Sequence, residues 1–153
     1  MQDADLAWVL ALEQRSYSFP WSKKGFENSL EQGLNYIFCD LQGHKLGYCC
    51  ILPVLDEAHI LNVCVAPEYQ RKGIAKEALK KILAKLQSTF QVIFLEVRES
   101  NTSAIKLYQS LGFHKDGVRK NYYRVSRWDE TQQELIEGKE DAVLMSFYFL
   151  SGG

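Results

Sequence analysis

The sequence predicts a mixed α/β fold, a mixed central sheet flanked by helices. Three apolar, strand-like runs at residues 36–41, 46–54 and 58–65 follow one another across short turns, the pattern of an antiparallel meander. Helical patterns at residues 73–86 and 102–111 then enclose an apolar strand at residues 92–97, the pattern of a strand–helix–strand unit. No repeat, low-complexity tract or Pro/Gly/Ser-rich linker divides the chain before the terminal Ser151-Gly152-Gly153. Its 153 residues therefore read as one domain over residues 1–150, with residues 151–153 a flexible tail.

The first helix is expected over residues 6–17, with Asp3 or Asp5 as its N-cap. Its apolar run is too short to span a bilayer and lacks the basic flank and cleavage pattern of a signal peptide. Phe19-Pro20-Trp21-Ser22 breaks the helix, because proline disfavours helix in the residue before it, and Ser22 caps a second short helix to Leu30. The first two strands form a hairpin around Gln42-Gly43-His44, the second ending at Pro53, and Ala66-Pro67 closes the third. Ile74, Ala75, Ala78, Leu79, Ile82, Leu83 and Leu86 keep the 3.6-residue period of an amphipathic helix. In the next helix Ala104, Leu107, Tyr108 and Leu111 share one face, Asn101 fits the N-cap and Gly112 the C-terminal stop. Late strands are expected at residues 118–125 and 142–150.

Hydrophobic residues at 46% and charged residues at 24% exclude a disordered chain. Eighteen basic against nineteen acidic residues give a net charge of −1, so no global field holds nucleic acid or an anionic membrane. Cys39, Cys49, Cys50 and Cys64 form no C-x-x-C pair, zinc spacing or disulfide framework. They read as buried, reduced thiols in a cytoplasmic protein. His44, His59 and His114 have no partner in the sequence and read as surface, strand or turn residues.

Gln70-Arg71-Lys72-Gly73-Ile74-Ala75 joins the third strand to the most periodic helix. A turn here leaves backbone N–H groups unpaired where they meet the positive end of the helix dipole. Gly73 carries no Cβ to hold a ligand away. The arrangement suits a phosphate or pyrophosphate, but a single glycine suits an ordinary strand-to-helix turn as well, and the spacing is neither a Walker loop nor a full G-x-G-x-x-G. Arg71, Lys72 and Lys76 crowd the first turn, where cations oppose the dipole and are better placed beside a bound anion. Lys80, Lys81 and Lys85 read as a solvated face.

The segment Asn62-Val63-Cys64-Val65-Ala66-Pro67-Glu68-Tyr69-Gln70-Arg71-Lys72-Gly73-Ile74-Ala75 resembles the acetyl-CoA motif of the Gcn5-related N-acetyltransferases (GNAT), an acyl-CoA N-acyltransferase fold. The resemblance implies acetyl-CoA as co-substrate and no metal. It implies that the amides of Arg71, Lys72, Gly73, Ile74, Ala75 and Lys76 hold the CoA pyrophosphate. It also implies that the backbone of Val63, Cys64 and Val65 lines the acetyl and pantetheine channel, an N–H from Cys64 or Val65 polarising the thioester carbonyl. Ala75 stands where many members carry a second glycine.

Glu96 interrupts an apolar strand, a costly place for a carboxylate unless it is paired or functional. Partial burial suits a general base, while a pair with Arg98, two residues along on the same face, is the structural alternative. Tyr108 on periodicity is a core aromatic. The block from Leu95-Glu96-Val97-Arg98 through Ser110-Leu111-Gly112-Phe113, with Phe19-Pro20-Trp21-Ser22, Leu55-Asp56-Glu57-Ala58, Asn121-Tyr122-Tyr123 and Glu140-Asp141-Ala142, is similar to a narrower group, the bacterial RimI-type ribosomal-protein alanine N-acetyltransferases. That resemblance implies Glu96 as general base through water, Tyr108 as the acid that protonates the departing thiolate, and Asn101 as a CoA contact. Transfer is then direct, with no acyl-enzyme.

The same resemblance implies as acceptor the N-terminal alanine of small-subunit ribosomal protein eighteen, a basic peptide, with no direct nucleic-acid or membrane partner and a monomeric enzyme. Residues 128–141 carry six acids against Lys139 alone. They read equally as a groove for such a peptide and as a solvated acidic loop attracted to Arg119, Lys120, Arg124 and Arg127. The stretch from Arg124 to Lys139 is longer than the family pattern and is the candidate gate or peptide contact. Another N-terminus, a lysine or a small amine as acceptor, and a non-catalytic CoA-binding module, are the alternatives.

Overall fold

The computed structural model describes residues 1–150; the expected flexible tail at residues 151–153 lies outside them. The helices are α1 (Leu6–Ser16), α2 (Lys23–Gln32), α3 (Ile74–Leu86) and α4 (Thr102–Leu111). The strands are β1 (Leu34–Cys39), β2 (Lys45–Val54), β3 (Glu57–Val65), β4 (Val92–Arg98), β5 (His114–Asp129) and β6 (Glu134–Tyr148). One six-stranded sheet runs in the order β1-β2-β3-β4-β6-β5. Among the described residues only β3 and β4 pair in parallel; the expected meander forms one half and β6 sits antiparallel between β4 and β5 in the other.

Both crossover helices cover one face. Leu79, Ile82 and Leu86 of α3 and Tyr108 of α4 pack on Cys49, Ile51 and Ile93. Val9 and Leu12 of α1 and Phe26 of α2 cover the other face, on Tyr48, Cys50 and Cys64. Adjacent Cys49 and Cys50 serve opposite cores because successive strand side chains point to opposite faces. Three of the four cysteines are buried as expected; Cys39 is exposed, because it ends the edge strand β1.

The helix ends largely follow the sequence signals. Ser22 Oγ accepts the Gly25 N–H at 3.1 Å, and Asn101 Oδ1 accepts the Ala104 N–H at 3.2 Å. Gly112 stops α4 at φ +107°, where a Cβ would also meet the Phe147 ring at 2.9 Å. The cap of α1 differs. A 3-10 turn over Asp3–Asp5 leads into it, and Asp5 stands at the N-cap as expected, but its side chain makes no capping hydrogen bond. The Asp5 carboxylate instead accepts the Gln2 N–H and pairs with Lys45, both at 2.8 Å. Strand β2 runs through Pro53 to Val54, since β1 stops at Leu34↔Ile51 and leaves that edge without a ladder to break.

The acidic stretch expected as a loop is the distal part of a two-stranded ribbon. β5 and β6 pair from Tyr123↔Glu140 out to Asp129↔Glu134, beyond the last β4 partner, Ala142. With both faces solvated, these strands carry no one-sided apolar period for the sequence to show. No helix among the described residues is long and apolar enough to cross a membrane.

Candidate active site

A bulge in β3 builds the site. Cys50 pairs with Asn62 but Ile51 with Ile60, so Leu61 is the extra residue. Before it, Ala58 and Ile60 face the α3/α4 core; after it, Cys64 faces the α1/α2 core and Val63 and Val65 pack against the α3/α4 side. The parallel pairing of β3 with β4 also ends here, at Ile60↔Leu95. β3 continues with β2 as far as Val65↔Gly47, and β4 with β6 as far as Arg98↔Ala142. The two central strands therefore part, and a cleft of about 780 Å³ opens between them. Asn62 and Val63 line one wall, Glu96 and Arg98 the other, and Asn101 and Tyr108 of the α4 segment close the end.

Glu96 is partly buried, with 29% of its side chain exposed. Its partner is Arg119, Nη2 to Oε1 3.0 Å, and not Arg98 as the same-face spacing suggested. Arg98 is drawn across the ribbon to Glu140 Oε1 at 2.9 Å and to the Arg124 carbonyl at 2.7 Å. Burial, with the Glu96 carboxylate next in effect, pushes the Tyr123 phenol up to about 12 and raises that of Tyr122. Tyr108 lies on the apolar face of α4 as its period implied, edge-on to Phe113 at 5.7 Å, yet it lines the cleft. Burial raises its phenol pKa, with smaller contributions from Cys49 and Tyr123, so it stays protonated.

The turn after β3 has Arg71 at φ +63° and Gly73 at φ +76°. The first helical hydrogen bond of α3 runs from the Glu77 N–H to the Gly73 carbonyl at 3.1 Å. The six amides from Arg71 to Lys76 have no acceptor among the described residues. A Cβ on Gly73 would meet nothing within 4 Å, so the space over these amides is open. Gln70 Nε2 braces the turn on the Val65 carbonyl at 2.9 Å. The turn, with Cys64 and Val65, lies outside the cleft wall itself. The Cys64 side chain belongs to the α1/α2 core, where burial raises its thiol pKa. What links cradle and cleft is β3, whose edge toward β4 is unpaired beyond Ile60.

The structure adds Glu13. It is 2% exposed at the cleft floor. Oε1 accepts the Trp21 N–H at 3.3 Å and Asn62 Nδ2 at 3.2 Å; Oε2 accepts Asn62 Nδ2 at 3.0 Å and the Tyr48 hydroxyl. Val9, Leu12 and Glu13 stand at i, i+3 and i+4, so a charged residue on the core stripe was the available signal. Glu13→Ala leaves these donors unpaired and should cost about 2–4 kcal/mol of stability. Urea denaturation measures this; an unchanged midpoint would show the network to be idle.

Three carboxylates thus reach the cleft, and their surroundings separate them. Glu13 is closed by its donors. Glu140 is opposed by burial but held below the usual carboxylate range by Arg98 and Ser100. Glu96 meets the half-exposed Arg119 and the Tyr122 hydroxyl and keeps more of its side chain exposed than Glu13 or Glu140, so it is the carboxylate that water or an amine can reach. The histidines each lie beside an acid, His44 with Asp40 at 2.9 Å, His59 with Glu57 at 3.1 Å and His114 with Asp116 at 3.5 Å. None lines the cleft. Among the described residues no group of three His, Cys, Asp or Glu side chains is placed to hold a metal.

Residues 7–113 match the Acetyltransferase (GNAT) family. The [ribosomal protein bS18]-alanine N-acetyltransferase of Escherichia coli K12 is 36% identical over 149 residues, covering 95% of this chain and 93% of that protein. The crystal structure of the ribosomal-protein-S18-alanine N-acetyltransferase from Escherichia coli superposes with a TM-score of 0.84 at 34% identity, covering 100% of this chain and 93% of that one. A GNAT acetyltransferase from Elizabethkingia anophelis, solved with acetyl-CoA bound, shares the fold with a TM-score of 0.71 at 23% identity, over 94% of this chain and 90% of that one. The splayed central strands, the open amide turn and a family match across most of its length together place the chain in the GNAT family of acetyltransferases.

Proposed function

We propose that residues 1–150 act as one catalytic domain that transfers an acetyl group from acetyl-CoA to the N-terminal alanine amine of small-subunit ribosomal protein eighteen. The observation that carries the chemistry is the convergence of Glu96, Tyr108 and Asn101 on one cleft, at the end of a strand leading to six open amides. The acceptor is proposed from the printed activity of relatives 34–36% identical over nearly the full length. The same reading takes the enzyme as a monomer, and a ribosomal-protein substrate suits the cytoplasm.

Acetyl-CoA supplies an acetyl group on a thioester. The amides of Arg71 to Lys76 hold its pyrophosphate, aided by the helix dipole. Val63 to Val65 lie where β3 has parted from β4, their Val63 and Val65 carbonyls held by Tyr17 and Gln70, and an N–H of Cys64 or Val65 polarises the thioester carbonyl. Asn101 contacts CoA while capping α4. Glu96 takes a proton from the acceptor ammonium through water, and the amine attacks. As the C–S bond breaks, Tyr108 donates its proton to the sulfur, the second proton of the acceptor nitrogen passes through water to restore the Tyr108 phenol, and Glu96 releases its proton to solvent.

The test is an acetyl-transfer assay with a peptide beginning at alanine, beside a copy blocked at its N-terminus but containing lysine. Mass spectrometry should place one acetyl group on the α-amine of the first and none on the second. Acetylation of lysine alone would move the acceptor class. CoA binding without product on any acceptor would leave a binding module.

A further inference from the structure

Tyr17 stands one residue past the end of α1 and lines the cleft. The residue is 38% exposed, yet its hydroxyl is turned inward and donates to the Val63 carbonyl at 2.8 Å. That carbonyl belongs to the segment of β3 that has parted from β4. The ladder with β2 fixes where it points. Along an antiparallel ladder, residues whose N–H and C=O groups face the partner alternate with residues whose groups face away. The Ala66 N–H meets the Leu46 carbonyl at 2.8 Å, so Ala66 faces β2. Two residues back, Cys64 faces β2 as well, and its carbonyl is the atom that a Cβ on Gly47 would strike at 2.3 Å. Val63 and Val65 therefore turn their N–H and C=O groups away from β2, into the gap that β4 leaves.

Side chains take the carbonyls alone. Tyr17 holds that of Val63, and Gln70 Nε2 holds that of Val65 at 2.9 Å. The Val63 and Val65 N–H groups find no acceptor in a side chain, turn or loop among the described residues. The open segment thus presents donors to the cleft, while the carbonyls, whose negative ends oppose a developing oxyanion, are each closed by a side-chain donor. The hold comes from α1 at adjacent residues, just after the Leu61 bulge: Glu13 accepts the Asn62 side chain at 3.0 Å, and Tyr17 takes Val63. Burial raises the Tyr17 phenol pKa, with Cys64 and Glu13 adding to it, so the hydroxyl remains a donor.

We infer that Tyr17 is a positioning residue for acetyl transfer. Its bond to the Val63 carbonyl fixes the open segment of β3 so that the Val65 N–H points at the thioester carbonyl, and it keeps the Val63 carbonyl from turning its lone pairs toward the oxygen that gains charge. Tyr17 acts through the strand and not by contact with substrate. The inference rests on the acetyl-transfer reading above, with β3 as the strand that polarises the thioester.

Tyr17→Phe tests it, since phenylalanine keeps the ring and removes the hydroxyl. The kcat should fall about tenfold, less than the roughly 10²–10³ of losing a direct oxyanion donor, with KM for acetyl-CoA and for the acceptor within about twofold. The urea midpoint should shift less than that of Glu13→Ala. The direct signature is the carbonyl stretch of acetyl-CoA labelled with carbon-13 in the acetyl carbonyl, read by infrared difference spectroscopy on the complex without acceptor. On wild type the band should sit below its position in solution, and on Tyr17→Phe closer to that position. A band that is the same on both proteins overturns the inference whatever kcat does. So does an unchanged kcat, or a loss confined to the acceptor KM, which makes Tyr17 a substrate contact. A wild-type band at the solution position removes β3 as the polarising strand, and the role of Tyr17 with it. Because the band is read without acceptor, it decides the role of Tyr17 even where no α-amine is acetylated, an outcome that sinks only the acceptor reading.

Discussion

Glu96→Gln should lower kcat by about 10²–10³-fold, the range for losing a positioned general base. The KM for acetyl-CoA should stay near the wild-type value, since the amide turn that holds the pyrophosphate is untouched. The substitution is close to isosteric and leaves an acceptor oxygen for Arg119, so a folding defect is not the expected cause. The pH profile separates base loss from lost positioning. With glutamine at position 96, the remaining rate should follow only the deprotonation of the acceptor amine itself, rising with pH until that amine is free. A variant with unchanged kcat would remove Glu96 from the mechanism. Glu13→Gln is the useful contrast. Its carboxylate is already committed to Tyr48, Asn62 and Trp21, so it should alter stability more than pH profile.

Tyr108→Phe should slow transfer by about 10²-fold, with acetyl-CoA binding little changed. Phenylalanine keeps the edge-on contact with Phe113, so the α4 face stays packed and the hydroxyl alone is removed. Burial raises the phenol pKa, so the proton needed by the leaving thiolate is present throughout the neutral range. Wild-type kcat should accordingly show no alkaline loss from this group below about pH 10, the ordinary tyrosine value. Single-turnover kinetics check the assignment. A Phe variant with a normal chemical step would mean the thiolate leaves without an acid from Tyr108.

How much of this site the sequence showed depends on the kind of signal. The turn at Gln70-Arg71-Lys72-Gly73 was legible because backbone geometry is local: a glycine between a strand and a periodic helix leaves amides free wherever the chain goes next. Asn101 and Ser22 were legible as caps for the same reason. Glu96 stood out as an acid in an apolar strand, but its partner did not. The same-face rule pointed to Arg98, while β6 and the ribbon brought Arg119 and Glu140 into competition for both groups. Glu13 escaped notice because its meaning depends on Tyr48 and Asn62, 35 and 49 residues away. The outer ribbon was hidden because strands wet on both faces carry no one-sided pattern.

By itself the sequence determined the order of helices and strands and a phosphate-sized turn at a helix start. Those follow from short-range periodicity and backbone freedom. Only the tertiary structure decided that β3 gains a residue at Leu61 and parts from β4 after Ile60, because each strand follows its own outer partner. That divergence turns Asn62 toward Glu13, leaves β3 without β4 as its neighbour beyond Ile60 and brings Glu96 and Tyr108 to one cleft. The cause is competition between ladders distant in sequence, which no local pattern records.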